Sequence, residues 1–273
     1  MPLARIVLWL ASLGGLALLA RSLWFEPVPL TWAVLALVAY VALCVAGMVM
    51  PTLEMYGDAV TSALPGRREI ALTFDDGPFP PTTRRVLEAL NARDQRATFF
   101  MLGKKARAFP ELVAELHAAG HEIAVHGWEH DRLYAWRPPN HVATDLKRSA
   151  DAIEAITGAR PRWFRPPMGF VSPRTVAGAR KAKLELVAWS VRGYDGLPRA
   201  TPDTVLDRVE RGLVDGAVVL LHDAAERDDF VPASVTAMER LLDAVAARGL
   251  RSVTLSELLD PDREQPAPAE HPS

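Results

Sequence analysis

Residues 70–78 read IALTFDDGP, an apolar run that ends on two adjacent carboxylates, Asp75 and Asp76. Such a run predicts a buried β-strand, and two acids at its end place negative charge at the mouth of a sheet. Repulsion between the two side chains must be relieved by a cation, a proton or an arginine. The pair is therefore a candidate for metal binding combined with acid–base chemistry.

Around this stretch, apolar β-type runs alternate with segments of helical period. The predicted strands are 69–74, 97–102, 122–126, 163–165, 184–190, 217–221 and 252–255. The predicted helices are 82–92, 108–119, 141–157, 173–182, 202–212 and 231–248. Strands that alternate with helices indicate a parallel sheet of the α/β class. The shortness of the elements favours a barrel over a wide doubly wound sheet, although the pattern leaves closure of the barrel open.

Two apolar runs precede this α/β region. Residues 30–50 are 21 positions without a charge, and about 20 apolar residues cross a bilayer core. Residues 6–20 form a shorter run between Arg5 and Arg21. A cleaved signal peptide is disfavoured, because a second run follows closely and no small-x-small site precedes Arg21. We expect two transmembrane helices in a hairpin that turns at 26–29.

The predicted domain organisation follows from these patterns. Residues 1–51 form a membrane anchor, 52–68 a linker, 69–259 the α/β domain, and 260–273 a disordered tail rich in proline and charge. Two spans place the N-terminus and the α/β domain on the same side. We expect a multi-pass protein of the cell (inner) membrane, and the charge pattern leaves the side of the domain open.

Composition excludes several classes of function. The net charge is −2, and arginine and lysine are scattered rather than clustered, so a nucleic acid partner is not expected. The single cysteine, Cys44, lies in an apolar run, which excludes a disulfide framework and a thiolate metal site. Any metal would be held by histidine and carboxylate side chains. The oligomeric state is not readable from the sequence.

Reactive side chains concentrate where the predicted strands end, as expected of a (β/α) architecture. These side chains are Asp75, Asp76, His126, His130, Arg165, Asp195 and His222. His126 and His130 are four residues apart and can reach one cation from a single turn. With one carboxylate they would form a two-histidine, one-aspartate set that leaves open positions for water and substrate.

These blocks resemble the motifs of the polysaccharide deacetylase family, the NodB-type carbohydrate esterases. Residues 73–78, TFDDGP, match the first motif without a change, and the HxxxH of His126 and His130 matches the second. The third motif is similar to RPPMG at 165–169, the fifth to LLH at 220–222, and the fourth, around Asp195, matches loosely. The resemblance covers about residues 69–259. It implies an irregular (β/α)7 barrel.

The resemblance also implies an activity and a cofactor. Members of the family hydrolyse an N-acyl group, usually N-acetyl, from an amino sugar. A divalent metal, commonly zinc, would be bound by Asp76, His126 and His130. Asp75 would be the general base.

Roles for five further residues follow from the same resemblance. Arg165 would keep the base ionised and oriented, and His222 would be the general acid, tuned by Asp195. The backbone N–H of Met168 would hold the developing oxyanion. Leu220 would form a wall of the pocket for the acyl methyl group.

The tryptophans divide into two groups. Trp128 and Trp136 lie on the loops around the two histidines and are candidates for substrate contact, because binding residues concentrate on such loops. Trp163 and Trp189 flank strands and are expected in the core.

Substrate recognition departs from the family pattern. Met168 stands where an aromatic residue is common, and Gly196 stands where tryptophan is frequent. The loss of aromatic platforms and the predicted anchor favour an envelope or lipid-linked glycan over a long soluble polymer. The expected partners are a carbohydrate or glycolipid substrate and the membrane. Two alternatives stay open, an O-acyl esterase acting on glycans and a non-catalytic glycan-binding module.

Overall fold

A computed structural model of the chain describes residues 1–197, 199–260 and 262. The strands are β1 (Glu69–Asp75), β2 (Ala97–Met101), β3 (Glu122–Val125), β4 (Trp163–Phe164), β5 (Glu185–Leu186), β6 (Val191–Arg192), β7 (Val218–His222) and β8 (Arg251–Ser252). The part of the predicted disordered tail at 263–273 lies outside the described residues.

Two long N-terminal helices precede the sheet, and shorter helices alternate with its strands. The helices are α1 (Leu3–Trp24), α2 (Leu30–Val49), α3 (Pro80–Asn91), α4 (Gly103–Ala108), α5 (Pro110–Ala118), α6 (Pro139–Thr157), α7 (Pro173–Ala182), α8 (Pro202–Gly212), α9 (Ala233–Ala247) and α10 (Leu255–Leu259). The helix predicted at 108–119 is confirmed as α5, but it begins two residues later, because the preceding helix α4, which was not predicted, ends before Phe109. That residue precedes Pro110 and leaves the helical region (φ −130°, ψ 57°), as residues before proline tend to do.

All strand pairs between these elements are parallel, in the order β5-β4-β3-β2-β1-β7-β6, with β8 beside the start of β1. Every residue of β1 is buried, which is why its sequence does not alternate between apolar and polar residues. The register places Asp75 directly beside His222 of β7. The central strand therefore carries the acid pair to the edge where the chemistry was expected.

The strand predicted at 184–190 is divided in two, so that the described residues form eight strands rather than seven. β5 pairs with β4 at one end of the strand order, whereas β6 pairs with β7 at the other. The Val187 N–H donates to Phe164 O at 2.9 Å and the Ser190 N–H donates to Val218 O at 3.0 Å. The segment 184–192 pairs first with β4 and then with β7, because it joins the two edges of the curled sheet. The irregular (β/α) barrel is thereby confirmed.

Residues 54–63, predicted as part of a linker, pack against the barrel and are called the strap here. Val60 bridges to Val187, and its N–H donates to Leu186 O at 2.9 Å. Ser62 forms an antiparallel bridge to Ala217. Met55 and Ala59 are buried. The strap therefore belongs to the wall of the folded domain.

The helices α1 and α2 pack against each other and against the strap. The Ser12 and Tyr40 hydroxyl oxygens lie 3.0 Å apart, and the Arg5 guanidinium lies 2.6 Å from the Asp58 carboxylate. The Tyr56 hydroxyl donates to the Cys44 carbonyl at 2.8 Å. Both helices are long and apolar enough to cross a bilayer, a property they share with signal sequences and buried core helices. Their contacts place the start of α1 and the end of α2 at the same end of an antiparallel pair.

The strap contacts predict a stability difference between two truncated proteins, one that begins at residue 54 and one that begins at residue 64. The shorter protein loses three backbone hydrogen bonds, Val60 N to Leu186 O, Ala188 N to Val60 O and Ala63 N to Gly216 O, each worth about 1 kcal/mol. Its free energy of unfolding, measured by urea titration, should be lower by about 3 kcal/mol. Equal stability would mean that the strap is a free linker.

Candidate active site

A cavity of about 380 Å³ opens where the central strands end. Its wall includes Asp75, Asp76, His126, His130, Met168, Leu220 and His222. Arg165 and Asp195 are completely buried behind this wall. The structure therefore brings together nine of the eleven residues singled out from the sequence, and the exceptions are Trp128 and Trp136.

Three buried side chains form a cage that fits a metal ion. One ligand atom from each of Asp76, His126 and His130 lies within 4.8 Å of the other two. Asp76 Oδ1 is 3.4 Å from His126 Nε2 and 3.6 Å from His130 Nε2. This oxygen is buried and has no hydrogen-bond partner among the described residues, a costly state for a carboxylate unless a cation is close. The donor set fits a divalent metal.

The tautomer and the protonation state of the His126 imidazole suit a metal ligand. Its Nδ1 lies 2.9 Å from the Arg165 carbonyl oxygen, so Nδ1 carries the proton and Nε2 is left as the ligand atom. Burial lowers the pKa of His126 below its ordinary value. The ring is therefore neutral, as metal ligation requires.

The backbone is strained at the same three-residue cage. Asp76 has φ 73° and His130 has φ 54°, in the left-handed region that non-glycine residues seldom adopt. Such conformations cost about 1–3 kcal/mol each and persist where the surrounding structure requires them. Gly127, between the two histidines, has φ 89°. The left-handed turn at this position explains why glycine follows His126.

A second carboxylate, which the sequence analysis missed, stands behind His130. Glu226 Oε2 lies 3.5 Å from His130 Nδ1, and Arg132 donates to both Glu226 oxygens, Nε to Oε2 at 3.1 Å and to Oε1 at 3.3 Å. Burial alone would raise the pKa of Glu226, but the hydrogen bond from Arg132 holds it below its usual value. His130 Nδ1 makes no hydrogen bond to Glu226 at this distance, but an ionised carboxylate this close to the ring supports a cation bound at Nε2.

The second acid of the pair, Asp75, is held by a buried arginine. Arg165 Nη1 donates to Asp75 Oδ1 at 2.8 Å, and Nη2 donates to Thr73 Oγ1 at 2.8 Å and to Ala188 O at 3.0 Å. Burial alone would raise the pKa of Asp75, but the adjacent guanidinium charge outweighs it and holds the pKa below its ordinary value. Asp75 is thus an ionised base beside the cage.

His222 and Asp195 form a hydrogen-bonded pair on the other side of the cavity. His222 Nδ1 lies 3.0 Å from Asp195 Oδ1, and the His222 backbone N–H donates to Oδ2 at 2.7 Å. Burial alone would lower the pKa of His222, but the charge and hydrogen bond of Asp195 raise it to about 9. A Cβ at Gly196 would lie 3.0 Å from His222 Cε1, so the glycine leaves room for this imidazole.

Of the predicted substrate contacts, Met168 and Leu220 lie at the cavity and Trp128 does not. Met168 is 43% exposed at the rim, with φ 62°, and Leu220 is buried in the wall of the cavity. Trp128 is 6% exposed and stays outside the cavity, because the Arg148 guanidinium covers its ring at 3.6 Å. Trp189 packs against the core, as expected, and also lines the cavity. The structure therefore corrects the assignment of Trp128 and adds a contact surface at Trp189.

The tyrosine and arginine beside Trp189 also escaped the sequence analysis as cavity residues. Arg192 lies with its guanidinium carbon 5.2 Å from the Trp189 ring centre and 4.6 Å from that of Tyr194. All three side chains line the cavity. Arg192 and Tyr194 directly follow the strand predicted at 184–190. That position was the available signal, since binding residues follow strand ends.

The barrel and its cage of two imidazoles and one carboxylate define the class of metal-dependent hydrolases. Residues 63–187 match the family model for polysaccharide deacetylase. The chain is 34% identical over 215 residues to a chitooligosaccharide deacetylase of Bradyrhizobium sp. (strain ANU 289), covering 74% of this chain and 94% of that protein. The chain belongs to the polysaccharide deacetylase family.

A peptidoglycan-N-acetylmuramic acid deacetylase of Bacillus subtilis (strain 168) is 30% identical over 203 residues. That alignment covers 74% of this chain but only 41% of the relative, so the chain spans about two fifths of the longer protein.

Two solved structures illustrate the range of proteins that share the fold. A family 4 acetyl xylan esterase from Clostridium thermocellum in complex with a cobalt ion superposes with a TM-score of 0.64 and 28% identity, covering 70% of this chain and 89% of that one. A carbohydrate esterase family 4 pseudoenzyme from Bacillus anthracis superposes with a TM-score of 0.67 and 25% identity, covering 76% and 71%. The fold alone therefore does not assign activity.

The pairing of His222 with Asp195 predicts a shift in the pH dependence of activity. In Asp195→Asn the pKa of His222 should fall from about 9 toward its ordinary value of 6.5. The alkaline limb of kcat/KM should therefore move to lower pH, because a general acid must be protonated. The stability difference from wild type should be largest below pH about 6.5 and vanish above about 9.

Asp203→Asn serves as the control for this measurement, because Asp203 is exposed and pairs only with Arg240 in the described chain. An alkaline limb that stays in place in Asp195→Asn would contradict the coupling.

The contact between Glu226 and His130 predicts a loss of metal affinity in Glu226→Gln. Removal of such an outer carboxylate weakens binding by about 10–100-fold, which a titration against a chromophoric chelator would measure. Glu129→Gln is the matched control, since Glu129 adjoins His130 in sequence but pairs with exposed Lys104 at 3.3 Å. Equal affinities of the two variants would refute a role for Glu226.

Proposed function

We propose that the chain is a metal-dependent hydrolase that removes an N-acyl group, N-acetyl in the commonest case, from an amino sugar of an envelope or lipid-linked glycan. One observation carries the proposal. The cage of Asp76, His126 and His130 lies in the same cavity as an ionised base, Asp75, and a protonated acid, His222. The names of the relatives, which are deacetylases of peptidoglycan and chitooligosaccharides, agree with this chemistry.

Each residue has a defined task in the proposed mechanism. A divalent ion held by Asp76, His126 and His130 would acidify a water molecule and polarise the acyl carbonyl. Asp75, kept ionised by Arg165, accepts the proton of the attacking water. His222, held at Nδ1 by Asp195, donates a proton from Nε2 to the leaving nitrogen, because an amine leaves only when protonated.

Two further positions shape the transition state. The Met168 backbone N–H stabilises the negative charge that develops on the carbonyl oxygen. Leu220 limits the space for the acyl group, which favours a short chain such as acetyl. Zinc is the proposed metal, because two imidazoles and one carboxylate form a common catalytic zinc site.

We further propose that α1 and α2 anchor the enzyme in the cell (inner) membrane as a helical hairpin. Their lengths of 22 and 20 residues match the ~20 residues that span the hydrocarbon core. Their surfaces are strongly apolar and almost entirely exposed, which water does not favour.

An O-acyl esterase is the second candidate, because an acetyl xylan esterase shares the fold and the same residues would cleave an ester. A non-catalytic glycan-binding module is less well supported, although a pseudoenzyme also shares the fold. This chain keeps the metal cage, the base and the acid together. Release of acetate from N-acetylated and O-acetylated sugars, measured side by side, separates the two enzymes.

The adjacent acids allow a test with one matched pair of variants. Asp75→Asn should retain the metal but lose about 10²–10⁴-fold in the rate of acetate release from an N-acetylated chitooligosaccharide. Asp76→Asn should lose the metal itself, as measured by elemental analysis. Circular dichroism checks the fold, since Asp75→Asn leaves Arg165 without its counter-charge. Wild-type turnover by Asp75→Asn would rule out the proposed mechanism.

A further inference from the structure

Exposed apolar side chains are unevenly distributed over the barrel. In the described part of residues 51–260, eight large apolar side chains are well exposed. Six of them follow strands, and three of these, Met168, Tyr194 and Leu197, line the cavity. The other three are Leu133, Trp136 and Val231. We call these six residues the mouth face. The other two, Leu64 and Val214, precede β1 and β7 at the opposite end of the barrel.

The end of α2 is joined to the mouth face. The Val171 N–H donates to the Met48 carbonyl oxygen at 3.0 Å. Val171 lies three positions after Met168 in the chain, and three positions span at most about 10 Å. The rim of the cavity therefore lies within about 10 Å of the end of the apolar helix, which is comparable with the depth of the headgroup region.

A second loop connects the same region to the metal cage. Trp136 packs edge-on against Phe170, with ring centres 6.5 Å apart, and the Trp136 carbonyl accepts from Arg174 Nη1 at 2.7 Å. The loop that follows His130 is thus tied to the loop that contacts α2. Both loops carry exposed apolar side chains, Leu133 and Trp136 on the first and Met168 on the second.

The chemistry of the mouth face fits a lipid surface better than a soluble glycan. Sugars stack on aromatic rings, but four of the six side chains are aliphatic. Tryptophan and tyrosine are favoured at membrane interfaces. Arg174 and Arg192 lie on this side, where they contact the Trp136 carbonyl and the Tyr194 ring, respectively, and such cations attract anionic headgroups.

We propose that the mouth face rests on the membrane that α1 and α2 enter, so that the cavity opens at the level of the lipid headgroups. The substrate is then an amino sugar carried on a membrane lipid. The orientation of the barrel follows from the contacts above, whereas the choice of substrate rests also on the proposed hydrolase function.

Depth-dependent fluorescence tests the orientation without any need for catalysis. The full chain, with Cys44→Ala, receives a single cysteine at position 133, 231, 64 or 214 and an environment-sensitive label. The protein is inserted into phosphatidylethanolamine–phosphatidylglycerol vesicles that contain brominated lipids. Labels at 133 and 231 should be quenched at least twofold more than labels at 64 and 214, which are the matched exposed apolar controls. Equal quenching at both ends, or none at 133 and 231, overturns the proposal.

Leu133→Glu and Val231→Glu test the substrate class, with Val214→Glu as the control. The two probes are N-acetylglucosaminyl polyprenyl diphosphate in the same vesicles and a soluble N-acetylated chitooligosaccharide. The first two variants should raise KM for the lipid-borne probe about tenfold and leave hydrolysis of the soluble probe unchanged. A higher KM for the soluble probe alone identifies a sugar-binding face and overturns the proposal. If wild type hydrolyses neither probe, the hydrolase proposal fails, while the quenching result still decides the orientation.

Discussion

The ion pair between Arg165 and Asp75 is the interaction on which both the barrel and the site depend. The guanidinium is completely buried, and its other contacts reach Thr73 in β1 and Ala188 in the segment that closes the barrel. The carbonyl of the same arginine fixes the tautomer of His126. Loss of one partner from a buried ion pair costs about 3–5 kcal/mol. The charge of Asp75 is therefore required by the fold as well as by the chemistry.

The same pair explains how two adjacent carboxylates are tolerated. Arg165 compensates the charge of Asp75, which leaves Asp76 as the acid that requires a cation. Successive residues of a strand point to opposite faces, but β1 ends at Asp75 and Asp76 has φ 73°. The left-handed turn directs both side chains into one cavity. The backbone strain at Asp76 thus creates one ionised base and one metal ligand from neighbouring residues.

The strand ends and the reactive residues were predictable, because each depends on local pattern and on motifs in the chain. The burial of Trp128 and the cavity contact of Trp189 were not, because Arg148 of α6 covers one ring while the closing segment turns the other toward the cavity. Glu226 carries no local signal, and only the fold brings it to His130. The division of strand 184–190 likewise follows from closure of the sheet, which is a long-range event.

The strap limits how the barrel can sit relative to the two long helices. A flexible linker of the length predicted at 52–68 would have a root-mean-square span of about 20–25 Å and would leave the orientation of the barrel free. Instead, Val60 is bridged into the barrel wall, and Met48 is hydrogen-bonded to Val171. These contacts hold the cavity in one orientation to α2. Under the proposed anchoring, a substrate carried in the same membrane would meet the site with much of its orientational entropy already lost, which favours reaction.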